Sequence, residues 1–441
     1  MIIKNASQTE KTSEFRFVLF AAMAAFITYL SMYAFRKPFT AATFDGLSLW
    51  GIDYKILLII SQLIGYTTSK YLGIKIISEL DHKSRTKTLI VLMATAWITL
   101  LLFAIVPFPY NFPFMFLNGL PLGMIWGVVF SYIEGRRYTE LLGAVMASSF
   151  ILSSGVVKSG GRFAIDHFNV SEMWMPFIIG SAFIPLLLLG IYMLHRLPLP
   201  DEKDIALRTE RVPMNNGQRL QFFLKFAPGI ILAVIIYTGL TIFRDLRDNF
   251  AVEFWTGMGF SNTPQMLIFS EVPIAFSVLI IIALMILIRN NQFAFFSTFA
   301  IIFFSGITLL VTTLLFIAEK LDPVIWMVIA GFSMYLPYLI YHTVFFERWI
   351  AHFRIKSNIG FLMYVSDAFG YLGSTCVLLF KNFSQAKFSW VDFFKISALS
   401  TSVLLIFISF FAFLYFKNYN GKEFLKVHLP MEIKDKEAAF I

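Results

Sequence analysis

The sequence predicts an all-α, polytopic membrane protein. Three observations carry that prediction. The chain of 441 residues is 58% hydrophobic and only 14% charged. Its apolar residues fall into long runs of bilayer-spanning length. Its basic residues collect in the short segments on one side of those runs.

Composition comes first. Soluble domains are about 45–50% apolar and about 25% charged, and a single core stops growing beyond roughly 250–300 residues. A mean hydropathy of +0.73 leaves lipid as the solvent that can accept this surface. The 52 Phe residues agree, since Phe is favourable at bilayer depth. The single cysteine, Cys376, lies in an apolar run and supports neither an intrachain disulfide nor a cysteine metal site. The net charge of +9 is spread through short loops, so it reads as an orientation signal and not as a nucleic-acid surface.

Bilayer-spanning helices need about 20 predominantly apolar residues. Twelve runs qualify, at roughly 16–36, 53–76, 88–107, 113–133, 140–163, 173–194, 224–246, 264–288, 293–317, 323–346, 358–380 and 391–416. The apolar stretch from Phe17 to Phe35 is too long for a cleaved signal peptide and has no small-residue cleavage site after it. With the N-terminus in the cytoplasm, roughly two thirds of the Lys and Arg fall on the cytoplasmic side, and an even helix number puts both termini there. The longest polar interval, 195–223, holds Pro198, Pro200, Pro213 and mixed charges. It reads as a cytoplasmic linker between a six-helix bundle at 1–194 and another at 224–416. A cytoplasmic tail spans 417–441.

The halves look related. The first span closes with Tyr29, five residues, then Phe35-Arg36. The seventh closes with Tyr237, five residues, then Phe243-Arg244. Glycines recur in the fifth helix (Gly155, Gly160, Gly161) and the eleventh (Gly370, Gly373). Parallel repeats of this kind place a substrate site at the interface of the halves.

Charge inside a span costs about 2.5–3.5 kcal/mol at mid-helix, so each such residue needs a partner, a cavity or an interface. The repeat-related Arg36 and Arg244 are the leading candidates, because two guanidiniums can grip an oxyanion bidentately. Asp245 is placed to neutralise that pair in part. Lys37, Arg247 and Asp248 read as interfacial anchors that snorkel to the headgroups. Lys70 and Lys158 lie too deep for anchoring and join Tyr33 and Tyr66 as candidate substrate contacts. Glu271 and Asp367 are the acidic counterparts, either proton carriers or static counter-ions. Asp81, Arg85, Glu134 and Arg136 suit inter-helix ion pairs of a cytoplasmic gate, or plain positive-inside charge.

The six histidines are scattered and read as packing or interfacial residues. They match no metal-ligand spacing, and no cofactor site is expected. No nucleophile-elbow or nucleotide-binding context supports an enzyme.

At these residues the chain resembles the major facilitator superfamily and, within it, the organophosphate:phosphate antiporters, as a divergent member. Tyr33-Ala34-Phe35-Arg36-Lys37-Pro38-Phe39 resembles that family's first-helix Arg-Lys-x-Phe motif. Gly65-Tyr66-Thr67-Thr68-Ser69-Lys70 resembles its second-helix Tyr-x-x-Ser-Lys, and Phe369-Gly370-Tyr371-Leu372-Gly373 its eleventh-helix motif. The resemblance implies that Arg36 and Arg244 bind a phosphate group with help from Lys70, and that Glu271 is the eighth-helix glutamate. The chain departs from that pattern at Ile77, where a glycine is usual, and near Leu152, where the family has a histidine. Lys158 and Asp367 are additions.

The expectation is therefore a secondary transporter of a small anionic solute, such as a phosphorylated or carboxylated metabolite, working by alternating access in the bacterial inner membrane. Protons or phosphate are the candidate coupling ions, lipid is the surrounding partner, and a monomer is expected. A sensor with the transporter fold and an exporter of lipophilic compounds are the rivals. The basic residues at the cavity speak against cationic cargo.

Overall fold

The computed structural model describes residues 2–78, 80–81, 83–134, 136, 138–199, 216–260, 263–353, 359–383 and 389–419. Residues 200–215, most of the expected linker, and 420–441, most of the expected tail, lie outside the described residues.

The chain is almost wholly helical, because a backbone in lipid must satisfy its hydrogen bonds internally. The helices are α1 (Ile2–Tyr33), α2 (Tyr54–Ser78), α3 (Arg85–Ile105), α4 (Pro113–Ile133), α5 (Thr139–Phe168), α6 (Met175–Ala182) and α7 (Ile184–His195). Then follow α8 (Asn216–Asn249), α9 (Ala251–Gly257), α10 (Thr263–Phe269), α11 (Glu271–Ile286), α12 (Asn291–Ile317), α13 (Pro323–Ile340), α14 (Phe346–His352), α15 (Ile359–Phe383) and α16 (Trp390–Asn418). A 3-10 turn, Pro38–Ala41, follows α1, and the antiparallel pair β1 (Ser48–Leu49) and β2 (Ile52–Asp53) precedes α2. A π-turn, Tyr341–Phe345, joins α13 to α14.

Local chemistry sets the helix ends. Asp322 accepts the amides of Val324 and Ile325 to start α13, with Pro323 at its first position. Asn290 caps α12 and Ser389 caps α16 in the same way. Asn169, at φ 52°, ends α5 in the left-handed conformation that asparagine tolerates.

Nine described helices or helix pairs are long and apolar enough to cross a membrane, and the α6–α7 pair, bent by 44°, gives a tenth. The two remaining expected spans are α2 and α15, of 25 residues each, which carry Lys70 and Asp367. Boundaries shift where the backbone is special. The fifth helix runs on to Phe168, and the tenth continues through the π-turn to His352. The seventh starts earlier, at Asn216, and breaks at Phe226 two residues before Pro228, whose ring cannot sit unstrained in a helix interior.

Packing repeats. α1 packs on α5 and α7, α2 on α4, and α3 on α4 and α6. In the second half α8 packs on α15 and α16, α11 on α13, and α12 on α13 and α16, which is the same scheme displaced by six spans. The main contact lines between the halves, α5 against α10–α11 and α2 against α15, are equivalent under that displacement. Glycine permits the closest approaches. A Cβ on Gly65 would stand 2.1 Å from the Phe116 carbonyl oxygen of α4, and one on Gly155 would stand 2.6 Å from that of Leu267 in α10. Phe276, Leu287, Phe304 and Phe407 face outward, as a lipid-facing belt requires. The polar core lies between the halves. The face where α1 begins is the near face, and its opposite the far face.

Candidate functional site

Three tiers of charged side chains lie between the halves. The far tier forms where α1 and α8 end. Lys37 reaches the Asp248 carboxylate at 2.5 Å and donates to Asn249 Oδ1 at 2.8 Å. Lys158, from α5, reaches the same carboxylate at 2.9 Å and the Asp248 carbonyl at 2.8 Å, while Ser154 donates its hydroxyl proton to Asp248. Farther out, Lys55 of α2 pairs with Glu253 of α9. One carboxylate thus serves two ammonium groups from the first half.

Beneath this tier is a narrow cleft lined by Tyr33, Arg36, Lys37, Phe150, Ser154, Arg244, Asp245, Asp248 and Tyr335. Both repeat-related arginines line it. Arg36 follows α1 in a turn whose carbonyl accepts from Gln62 Nε2 at 2.9 Å, and Gln62 is itself held by Asn118 at 2.8 Å. The guanidinium carbon lies 4.0 Å from the Tyr66 ring centroid and 5.8 Å from that of Tyr33. Arg36 is 8% exposed, and its Nε is buried with no hydrogen-bond partner. Among the described residues it makes no ion pair.

Arg244 is differently placed. It donates to Asp245 at 2.7 Å and 3.1 Å and to the Tyr338 hydroxyl, and its guanidinium carbon lies 4.4 Å from the Tyr338 ring centroid. Arg247 is engaged within the second half, by Glu271 at 2.5 Å and the Met327 carbonyl at 3.3 Å.

The near tier crosses between α2 and α15. Lys70 pairs with Asp367. Tyr237 of α8 donates to Asp367 Oδ1, and its oxygen also lies 2.9 Å from His342 Nε2 on the π-turn. Tyr66 and Tyr371 meet edge-on beside this pair at 5.8 Å.

Counting the tiers decides their net charge. The cations are Arg36, Lys37, Lys55, Lys70, Lys158, Arg244 and Arg247, and the carboxylates are Asp245, Asp248, Glu253, Glu271 and Asp367. Two positive charges remain. One is on Arg36 and the other is shared around Asp248. Cation–π contact offsets at most about 2 kcal/mol for a desolvated cation, and an uncompensated buried charge costs more than that. The side chains around the cleft therefore carry a net positive charge.

The structure brings Arg36, Arg244, Asp245 and Tyr33 to the cleft wall, with Tyr66 beneath Arg36. Lys70 and Lys158 stand below and above it, each against a carboxylate. Glu271 and Asp367 are counter-ions in this conformation. The expectation of snorkelling anchors is corrected. Lys37, Arg247 and Asp248 are 1–7% exposed and paired, because Lys37 and Asp248 meet across the two halves and Arg247 is held by Glu271 within the second half. Asp81 is exposed on the near face, its carbonyl accepting from the Ser84 amide at 3.0 Å and hydroxyl at 2.9 Å. Arg85 lies over the Tyr132 ring, and Arg136 lies over Phe17 and donates to the Pro198 carbonyl at 2.5 Å. Glu134 closes α4 through its backbone amide.

Sequence reasoning missed His342, Tyr335 and Tyr338. The tyrosines recur at helical spacing on an otherwise apolar span. His342 carries no local signal, because its partners come from α8 and α15.

Comparison with solved structures supplies the fold. The D-xylose–proton symporter matches with a TM-score of 0.59 and 14% identity, over 90% of this chain and 97% of that one. The nucleoside transporter NupG matches at 0.58 and 14%, over 92% and 100%. A bacterial homologue of the human lysosomal transporter Spinster, inward-facing and unoccupied, matches at 0.58 and 14%, over 94% and 99%. The fold is that of the major facilitator superfamily, and the protein is an integral, multi-pass membrane protein. A search of curated proteins finds no match. Residues 38–419, most of the chain, match the sequence profile of one family, and the protein belongs to it: DUF5690, a family of unknown function.

Proposed function

We propose that this protein is a secondary transporter that carries a small anionic solute across the membrane by alternating access. The observation that carries the reading is Arg36, a buried guanidinium without a counter-ion on the wall of a cleft that also holds Arg244. A planar fork of donors on the cleft wall matches a phosphate or carboxylate group. The similar solved structures are of transporters, which supports transport over sensing or catalysis.

The two bundles, 1–194 and 224–416, are the bodies that rock about the cleft. In the present conformation the far side is held closed by Lys37–Asp248–Lys158 and Lys55–Glu253. An arriving anion competes with Asp248 for its lysines and with Asp245 for Arg244, which links binding to loosening of the halves. Exchange of one anion for another, as in the organophosphate:phosphate antiporters, needs only this competition. The lysine and arginine bias supports a near face in the cytoplasm.

The test is uptake into proteoliposomes of labelled inorganic phosphate, phosphate monoesters and dicarboxylates, by wild type and Arg36→Lys. Lysine keeps the charge and loses the bidentate geometry. Saturable uptake that collapses in the variant is the expected result. Uptake unchanged by the substitution, or uptake restricted to neutral solutes, would overturn the reading.

A further inference from the structure

We infer that Asp367 is a proton-binding site, fed by His342 through Tyr237, whose protonation frees Lys70 and unlatches the near side of the molecule. The purpose of the device rests on the transport reading, but its geometry does not.

Four titratable side chains form one connected chain. His342 Nε2 lies 2.9 Å from the Tyr237 oxygen, Tyr237 donates to Asp367 Oδ1, and Asp367 Oδ2 holds Lys70. Asp367 and Tyr237 are 4% and 1% exposed, whereas His342 and Lys70, the two ends of the chain of groups, are only half-buried. His342 also sits on a π-turn within the tenth span. Single π-turns inside helices recur at functional sites, where the extra residue re-aims a side chain. Lys70–Asp367 lies on one of the two lines where the halves touch. The other line is held by a neutral bond, Ser159 to the Pro264 carbonyl at 2.7 Å.

The neighbours of Asp367 fix the sign. Lys70 and Tyr66 face it from α2, Tyr237 and Arg244 from α8, Tyr338 from α13 and His342 from the π-turn, with Tyr371 on its own helix. On α14, Glu347 flanks Arg348, which is bonded to Asn291 at 2.6 Å, and Asp53 on β2 donates its backbone amide to Asn382 of α15, near that helix's far end. The ionised carboxylate therefore holds the latch through Lys70. A proton from water charges His342. Imidazolium then donates its Nε2 proton to the Tyr237 oxygen as the Tyr237 hydroxyl proton passes to Asp367 Oδ1. Neutral imidazole, intact phenol and a carboxylic acid result, with one proton moved. Lys70, between the rings of Tyr66 and Tyr371 at 5.4 Å each, has then lost its counter-ion and can take an anion in its place. The latch is closed at high pH and opens as pH falls.

The test needs no substrate. On a Cys376→Ser background, spin labels on Lys83→Cys and Asn290→Cys, both exposed on the near face, report the separation of the halves by pulsed dipolar spectroscopy. Between pH 8 and pH 5 the distance distribution should move to longer separations. Asp367→Asn should show the pH 5 distribution at both values, and Tyr237→Phe and His342→Gln should keep most of the pH 8 distribution at pH 5. A wild-type distribution that does not change with pH overturns the proposal, as does a shift of wild-type size in Asp367→Asn or in both Tyr237→Phe and His342→Gln. Anion uptake with a pH-independent distance would sink the latch and leave the transport reading. The distance shift without uptake of any anion would do the reverse.

Discussion

Arg36 and Arg244 have identical spacing from a tyrosine and a phenylalanine near the ends of the first helices of the two halves, yet the fold treats them differently, with Arg36 in the turn after α1 and Arg244 inside α8. Arg244 has a carboxylate beside it and a tyrosine hydroxyl beneath it. Arg36 has two aromatic faces and an orphaned Nε. A duplicated sequence position has thus become a committed cation on one side of the cleft and an uncommitted one on the other. The difference teaches that the repeat supplies geometry while the counter-ions supply function. The committed arginine can exchange Asp245 for a ligand at little net change in charge. The uncommitted one gains most when an anion arrives, since it has no partner to lose.

The largest way to break this comparison is through stability. Arg247→Met leaves Glu271 buried without its ion pair and should cost about 3–5 kcal/mol, read as a lowered midpoint in thermal denaturation of the empty protein. Arg36→Met removes a charge that has no counter-ion, so its midpoint should be no lower than wild type. A fall as large as that of Arg247→Met would show that Arg36 has a partner in the native protein.

Binding comes next. Arg36→Ala should weaken binding of the transported anion by about 2–5 kcal/mol, the loss typical of a buried hydrogen-bonded charge pair. Arg244→Ala should cost less, because its charge is already offset. Calorimetric titration of both variants checks the order, and equal losses would mean that the asymmetry disappears once the ligand is bound.

A smaller change should make the second arginine resemble the first. Asp245→Asn removes the competitor for Arg244 and should raise anion affinity by about tenfold, equivalent to about 1.4 kcal/mol. Affinity that falls would assign Asp245 to ligand binding. The smallest effect tests the aromatic floor under Arg36. Tyr66→Phe keeps the ring and should leave affinity within a factor of about two, whereas Tyr66→Leu removes a cation–π contact of about 0.5–2 kcal/mol and should move it measurably.

Much of the molecule was legible in advance. Among the described residues nine of the expected spans, or ten with the bent α6–α7 pair, are long and apolar enough to cross a membrane, and the runs at α2 and α15 are helices as well. The equal spacing of Arg36 and Arg244 pointed to one cleft, and both line it. What was not legible was pairing. Lys37, Arg247 and Asp248 looked like anchors because each lies at the end of an apolar run. Their partners are far along the chain: Lys37 bonds a residue 212 positions away, and Lys70 one 297 positions away. Nothing local distinguishes an arginine with a counter-ion from one without, and His342 was unremarkable until α8 and α15 converged on it.

The sequence by itself determined that this is a helical membrane chain with a duplicated plan, because long apolar runs can hold their backbone hydrogen bonds in lipid only as helices. It also determined which few charges enter those runs. Only the tertiary structure decided which of them are neutralised and which one has no counter-ion among the described residues. The energy of a charge in a low-dielectric interior is set by distances of a few ångström to other charges. Those distances exist only once the halves are packed together.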